Sequence, residues 1–327
     1  MTFPILVTGA NGFVGTALCN RLVAAGHRVR GALRRRDRLW KSVDGVDYVQ
    51  VGDIGPDTHW SEALEGVGAV VHLAARVHVM HETAAAPLAA FRAVNVAGTE
   101  RLARVAAEKG VRRFVYASSI KVNGESTATT PFTEADTAAP VDPYAVSKYE
   151  AEQALRLTAK ETGLEVVIVR PPLVYGPGVG GNFLRLLQLV ERGVPLPLAL
   201  VDNLRSMIYL GNFADALTVC TAHSAAAGQT FLVSDGEDVS TPDLFRALAA
   251  ALGVPARLFP FPVTLLKLGG LILGKQGEIG RLTGSLQVDS SKIGNTLHWQ
   301  PRHTLADGLA ETARWYHAQI SAKSDRY

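Results

Sequence analysis

Cysteine is nearly missing from this 327-residue chain: Cys19 and Cys220 are the only two. That excludes a disulfide scaffold, and because each lies in an apolar stretch that reads as helix, both are expected as core residues of a protein in a reducing cytosol. Charge of one sign is also missing. Lys and Arg total 33 against 30 Asp and Glu, a net +3 that is too small to imply a nucleic-acid or membrane partner. No apolar run approaches the ~20 residues of a membrane span. The most apolar late segment, 263–273, is interrupted by Lys267, Gly269 and Gly270. It reads as a packed helix of a smaller domain, with shallow membrane contact as a lesser reading. The first residues lack the succession of a secretory leader, so a cytoplasmic protein is expected. Low-complexity tracts and internal repeats are absent, and 47% hydrophobic against 19% charged residues excludes disorder.

What is present is an alternation of strand and helix through the first 170 residues, the pattern of a parallel sheet covered by helices. Strands are expected at 5–8, 29–33, 46–51, 69–73, 114–118 and 166–170. Helices are expected at 13–25 and as two long elements, 87–109 and 143–162, the second opened by Asp142 as N-cap and Pro143 at the first helical position. After 175 glycine and proline become frequent and helices such as 241–252 and 304–319 lack regular strand partners. The division expected is therefore 1–175 and a smaller, mixed domain over 176–327, with some chain crossing back.

Thr8-Gly9-Ala10-Asn11-Gly12-Phe13-Val14-Gly15 follows the first strand and opens the first helix. Such a turn lets backbone N–H groups and the helix N-terminus approach a pyrophosphate, and the βαβ continuation supplies the context this motif requires. About 20 residues on, an NAD-binding unit places an acid to bond the adenosine 2′-hydroxyl. Here Leu33 stands there, followed by Arg34-Arg35-Arg36. Nothing repels a 2′-phosphate, and guanidinium groups can grip one, so NADP(H) is preferred, with NAD(H) as the other cofactor to consider. A solvated basic loop is the bland reading of the same run. Asp53, before Ile54, is placed to meet the adenine edge or to cap a helix.

Tyr144 and Lys148 lie four apart on one helix face. An ammonium beside a phenol favours the phenolate, which would let Tyr144 exchange a proton with an oxygen whose carbon exchanges hydride with nicotinamide. Ser118-Ser119 adds a hydroxyl at the carboxyl edge of the sheet, where open α/β folds bind ligands.

These residues, with Leu73-Ala74-Ala75, Asn95 and Arg170-Pro171-Pro172-x-Val174-Tyr175-Gly176-Pro177, resemble the extended short-chain dehydrogenase/reductases that act on nucleotide sugars, over nearly the whole chain. The resemblance implies an α/β fold, a doubly wound Rossmann parallel sheet with a smaller mixed α/β C-terminal substrate domain. It implies that Ser119 bonds the reacting oxygen, that Tyr144 is the acid/base, and that Lys148 tunes Tyr144 and holds the nicotinamide ribose. Thr8, Gly9, Asn11, Gly12, Phe13, Val14 and Gly15 would line the cofactor turn. Arg34, Arg35, Asp53, Ile54, Leu73, Ala74, Ala75, Asn95, Ser118, Pro171 and Val174 would line the rest of the cofactor.

Departures from the family pattern narrow the chemistry. The 4,6-dehydratases carry Asp-Glu beside the catalytic hydroxyl, whereas Ser119 is followed by Ile120 and Lys121. The segment 118–125, with Arg76-Val77-His78-Val79-Met80 and Ser234-Asp235-Gly236, is most similar to UDP-glucose 4-epimerase-like proteins. That group includes 4-ketoreductases that form UDP-N-acetylquinovosamine from a UDP-2-acetamido-2,6-dideoxy-4-keto-hexose. The expected function is therefore NADP(H)-dependent reduction of a UDP-4-keto-6-deoxy-hexose in polysaccharide precursor synthesis. The alternatives are a UDP-glucose or UDP-N-acetylglucosamine 4-epimerase with bound NAD, and a non-catalytic NADP-sensing protein. By the same resemblance, Asn182, Arg205 and Arg281 are candidates for the UDP phosphates, Arg76 and Lys121 for the sugar, and the two long helices for a homodimer interface. His72, His78 and His81 fit no compact metal-ligand spacing, so no metal is expected.

Overall fold

The computed structural model describes residues 3–35, 42–77 and 86–324. Arg36, His78 and His81 lie outside the described residues.

The chain runs β1 (Ile5–Thr8), α1 (Phe13–Ala24), β2 (Val29–Leu33), β3 (Val46–Gln50), β4 (Ala69–His72), α2 (Pro87–Phe91), a π-helical turn (Arg92–Ala97), α3 (Gly98–Glu108), β5 (Arg113–Ala117), α4 (Pro143–Thr162), β6 (Glu165–Arg170), β7 (Leu173–Tyr175) and α5 (Gly181–Glu191). It continues through β8 (Arg205–Tyr209), α6 (Leu210–Ala222), β9 (Thr230–Leu232), β10 (Asp238–Val239), α7 (Thr241–Leu252), α8 (Val263–Ile272), α9 (Gln276–Thr283), α10 (Ser291–Leu297) and α11 (Leu305–Ser324).

Seven strands form one parallel sheet in the order β3-β2-β1-β4-β5-β6-β9. The order reverses at β1/β4, and the crevice beyond the carboxyl ends of these strands is the ligand position of such sheets. Both faces are apolar because helices cover both. Val7, Val71, Val115 and Val167 meet Leu18 and Cys19 of α1 and Leu217 and Cys220 of α6. Leu6, Val70, Phe114 and Ile168 meet Leu102 and Ala106 of α3 and Leu155 of α4. Burial raises the thiols of Cys19 and Cys220 to about 12, so both behave as small apolar side chains.

Two features depart from the alternation read in the sequence. The region 87–109 is three segments, because the π turn at 92–97 widens the helix and turns Asn95 inward. Beyond 175 strands do occur. β9 returns to edge the main sheet, and β7, β8 and β10 make a separate three-stranded sheet that packs with α5, α7 and α11 into a C-terminal domain. Asp235 ties that sheet together, accepting from the Tyr175 hydroxyl, the Tyr209 N–H and Asn212.

Candidate active site

The turn after β1 is shaped by contacts that leave no room for side chains. Gly9 has φ +66°, and a Cβ there would sit 3.2 Å from the Ala74 backbone. At Gly15 a Cβ would lie 2.0 Å from the Gly9 carbonyl oxygen, so only glycine lets α1 close onto the turn. Phe13 and Val14 pack with Val174 of β7, and Gly12 N–H donates back to the Gly9 carbonyl. This cradle suits the pyrophosphate of a dinucleotide.

Beneath it runs a buried polar chain. Thr8 Oγ1 accepts from the Leu73 and Ala74 N–H groups and bonds His72 Nδ1 at 2.7 Å, while His72 Nε2 reaches Thr99 Oγ1 at 3.0 Å. Burial pulls the His72 imidazole down to about 3, so it is neutral and can donate on one side while accepting on the other. The chain locks β1 to β4 and both to α3.

Tyr144 and Lys148 stand in the first two turns of α4, which starts where the Asp142 carboxylate accepts the Ala145 N–H. Lys148 Nζ donates to the Ala117 carbonyl at 2.8 Å, lies 4.5 Å from the Tyr116 ring centroid and 5.9 Å from that of Tyr144. Ser119, two residues past Ala117, caps a short 3-10 turn by accepting the Lys121 N–H, leaving its O–H free to donate. The ring of Phe91 sits 6.2 Å from that of Tyr144, and the Arg76 guanidinium lies 5.4 Å from the Phe91 centroid. Thus Lys148 lies beside Tyr144 at the carboxyl end of β5, with Ser119 two residues past that strand and Arg76 against the Phe91 ring.

The expected electrostatics need correction. Burial, followed by the nearby Asp142 charge, raises Tyr144 above its ordinary value, and burial lowers Lys148 to about 7, opposed only by Glu152. Desolvation outweighs the ammonium that was expected to favour a phenolate. Tyr144 is held as a phenol, the form that gives up a proton.

Several other side chains are committed differently from the expectation. The Ser118 hydroxyl donates to Glu152 at 2.6 Å. The Asn95 amide bonds the Arg76 backbone in both directions and the Ser147 hydroxyl, so it clamps the β4 loop to α4. Lys121 is held by Asp142 and Glu125. Arg34 pairs with Asp53 at 2.9 Å at the adenosine end of the sheet, where both side chains are exposed, as is Arg35. Asp53 is therefore a charge partner of Arg34 as well as a candidate for adenine. Arg205 donates to the carbonyls of Arg281 and Gly284, so these two arginines, far apart in sequence, are neighbours, while Asn182 lies exposed at the start of α5.

A buried group escaped the sequence reading. Glu152 meets Arg170 through two contacts, 2.8 and 2.5 Å, and Arg170 reaches Asn123 at 2.9 Å. Its signal was present: Glu152 is one turn beyond Lys148 on the same face of α4. Among the described residues no cluster of His, Cys, Asp or Glu could hold a metal ion.

Fold and site together define a dinucleotide-dependent oxidoreductase of the short-chain type. The NAD dependent epimerase/dehydratase family model matches residues 5–234. A UDP-glucose 4-epimerase of Vibrio cholerae is 46% identical over 96% of this chain and 95% of its own. Another from Mycolicibacterium smegmatis is 30% identical over 95% and 97%. Among solved structures, MoeE5 in complex with UDP-glucose and NAD aligns with a TM-score of 0.75 at 25% identity, covering 97% of this chain and 99% of that one. The chain belongs to the NAD dependent epimerase/dehydratase family and is a nucleotide-sugar enzyme of the epimerase/dehydratase type.

Proposed function

We propose that the enzyme reduces C4 of a UDP-4-keto-6-deoxy-hexose with NADPH, as in forming UDP-N-acetylquinovosamine from its 4-keto precursor. The carrying observation is the end of β2, where Leu33, and not an acid, closes the strand and is followed by the exposed Arg34 and Arg35, with Arg34 paired to Asp53. The neutral Tyr144 agrees with this direction, since a ketone reduction must end with proton donation.

The cradle of Gly9, Gly12 and Gly15 would hold the dinucleotide pyrophosphate, Arg34 and Arg35 its 2′-phosphate, and Lys148 the nicotinamide ribose; when bound, the cofactor supplies hydride. Ser119 donates its hydroxyl proton as a hydrogen bond to the C4 oxygen, stabilising negative charge as it develops. Tyr144 then transfers its phenolic proton to that oxygen. Arg205 and Arg281 face the UDP diphosphate, their planar donors matching its oxygens. The two helical segments at 87–108 and 143–162 are proposed to pair into a homodimer, although their outer surfaces carry the Arg92–Glu150 and Arg104–Glu161 ion pairs. Light scattering that finds a monomer at micromolar concentration would remove this part.

The second reading, a UDP-hexose 4-epimerase with bound NAD, is favoured by the two curated relatives with that name. One assay separates them. NADPH consumption with the 4-keto sugar made from UDP-N-acetylglucosamine, giving a 4-hydroxy product by NMR, supports the reductase. Interconversion of UDP-glucose or UDP-N-acetylglucosamine with the galacto sugars, and no NADPH consumption, replaces it with the epimerase.

A further inference from the structure

The most exposed apolar surface among the described residues lies on α8 and the turn after it. Leu265, Leu268, Leu271, Ile272 and Leu273 are each between 51% and 75% exposed, and Phe259 just before α8 is 41% exposed. Their spacing is that of one helix stripe, since 265, 268 and 272 recur at three- and four-residue steps. The opposite stripe already has its partners: Val263 and Leu266 pack on the C-terminal core, and Gly270 lies against Ile279 of α9. Burial within its own fold therefore does not explain the outer leucines. A surface this apolar and contiguous marks an interaction site.

Two observations select the occupant. Over 255–284 the basic residues are Arg257, Lys267, Lys275 and Arg281, and the acids number one, Glu278. Lys267 and Lys275 bracket Leu268, Leu271, Ile272 and Leu273 along the chain, and both are exposed. Apolar side chains ringed by lysine match an anionic bilayer surface, where leucines enter the acyl boundary and lysines meet headgroup phosphates. A second copy of the chain fits less well. A stable protein interface takes roughly 20–30 residues a side, and this patch offers six. No helix among the described residues is long and apolar enough to cross a membrane, so contact would lie in the interface.

We propose that α8 and the 273–275 turn dock the enzyme on an anionic membrane surface. The docking does not depend on which sugar is processed or in which direction.

The test is co-sedimentation of the full-length protein with vesicles of phosphatidylcholine and phosphatidylglycerol at low salt. Alongside it run Leu268→Ser/Ile272→Ser/Leu273→Ser and Lys267→Glu/Lys275→Glu. The expected result is sedimentation of the wild type, weakened by salt and by omission of phosphatidylglycerol. The serine variant should lose about tenfold or more in vesicle partitioning while keeping melting temperature and turnover, and the glutamate variant should lose the dependence on phosphatidylglycerol. Wild-type protein left in the supernatant, or equal sedimentation of the serine variant, would overturn the proposal. So would a dimer in light scattering that the serine variant abolishes, which would give the patch to a second copy.

Discussion

Glu152 and Arg170 meet in an ion pair almost wholly removed from water, one helical turn past Lys148, with Ser118 donating to the same carboxylate. The pair ties α4 to the end of β6, and Glu152 is the one nearby charge that opposes desolvation of the Lys148 ammonium. Removing one partner leaves the other charge buried and unmatched. Glu152→Gln should therefore destabilise the protein by about 3–5 kcal/mol, read from urea unfolding. An unfolding free energy unchanged by the substitution would show that the pair is not holding α4 on the sheet.

Tyr144→Phe keeps the ring that packs against Phe91 and removes only the proton. Turnover should fall by about 10²–10⁴-fold, while cofactor binding, followed by fluorescence titration with NADPH, is retained. Full activity in this variant would remove Tyr144 from the proton transfer.

The basic end of β2 predicts a cofactor-selective defect. In Arg34→Ala/Arg35→Ala, loss of charge-assisted bonds to a 2′-phosphate should raise KM for NADPH about 10–100-fold. KM for NADH should change little, because the substitution removes nothing that a 2′-hydroxyl needs. Parallel changes for both cofactors would show that these arginines only hold Asp53.

His72 gives stability a pH dependence of definite sign. Its folded-state value is pulled down to about 3 from the ordinary 6.5 by burial. Between those values the unfolded chain binds a proton that the native protein excludes, so stability falls as pH drops below 6.5. The slope amounts to a loss on the order of 2 kcal/mol between pH 6.5 and 5. His72→Gln should be less stable at pH 7 and show a flatter slope when urea unfolding is compared at the two pH values.

Much of this protein was determined by local sequence. The glycine turn, the Asp142 cap of α4 and the short apolar runs of the strands each depend on residues within a turn or two of one another. Their positions were legible to within one or two residues for β1 to β6 and for α4, and so was the placing of Ser119 and Lys148 near the end of β5, because parallel sheets bring strand ends to one edge. Tertiary structure decided what long-range partners decide. The π turn at 92–97 exists where Asn95 must reach Arg76 and Ser147, contacts 19 and 52 residues away. Strand β9 joins the sheet by pairing with β6 across some 60 residues, and three residues carry too little pattern to announce it. The shifts of Tyr144 upward and Lys148 downward depart from the expectation from spacing for the same reason: burial sets both, a property of the assembled core and not of four residues along a helix.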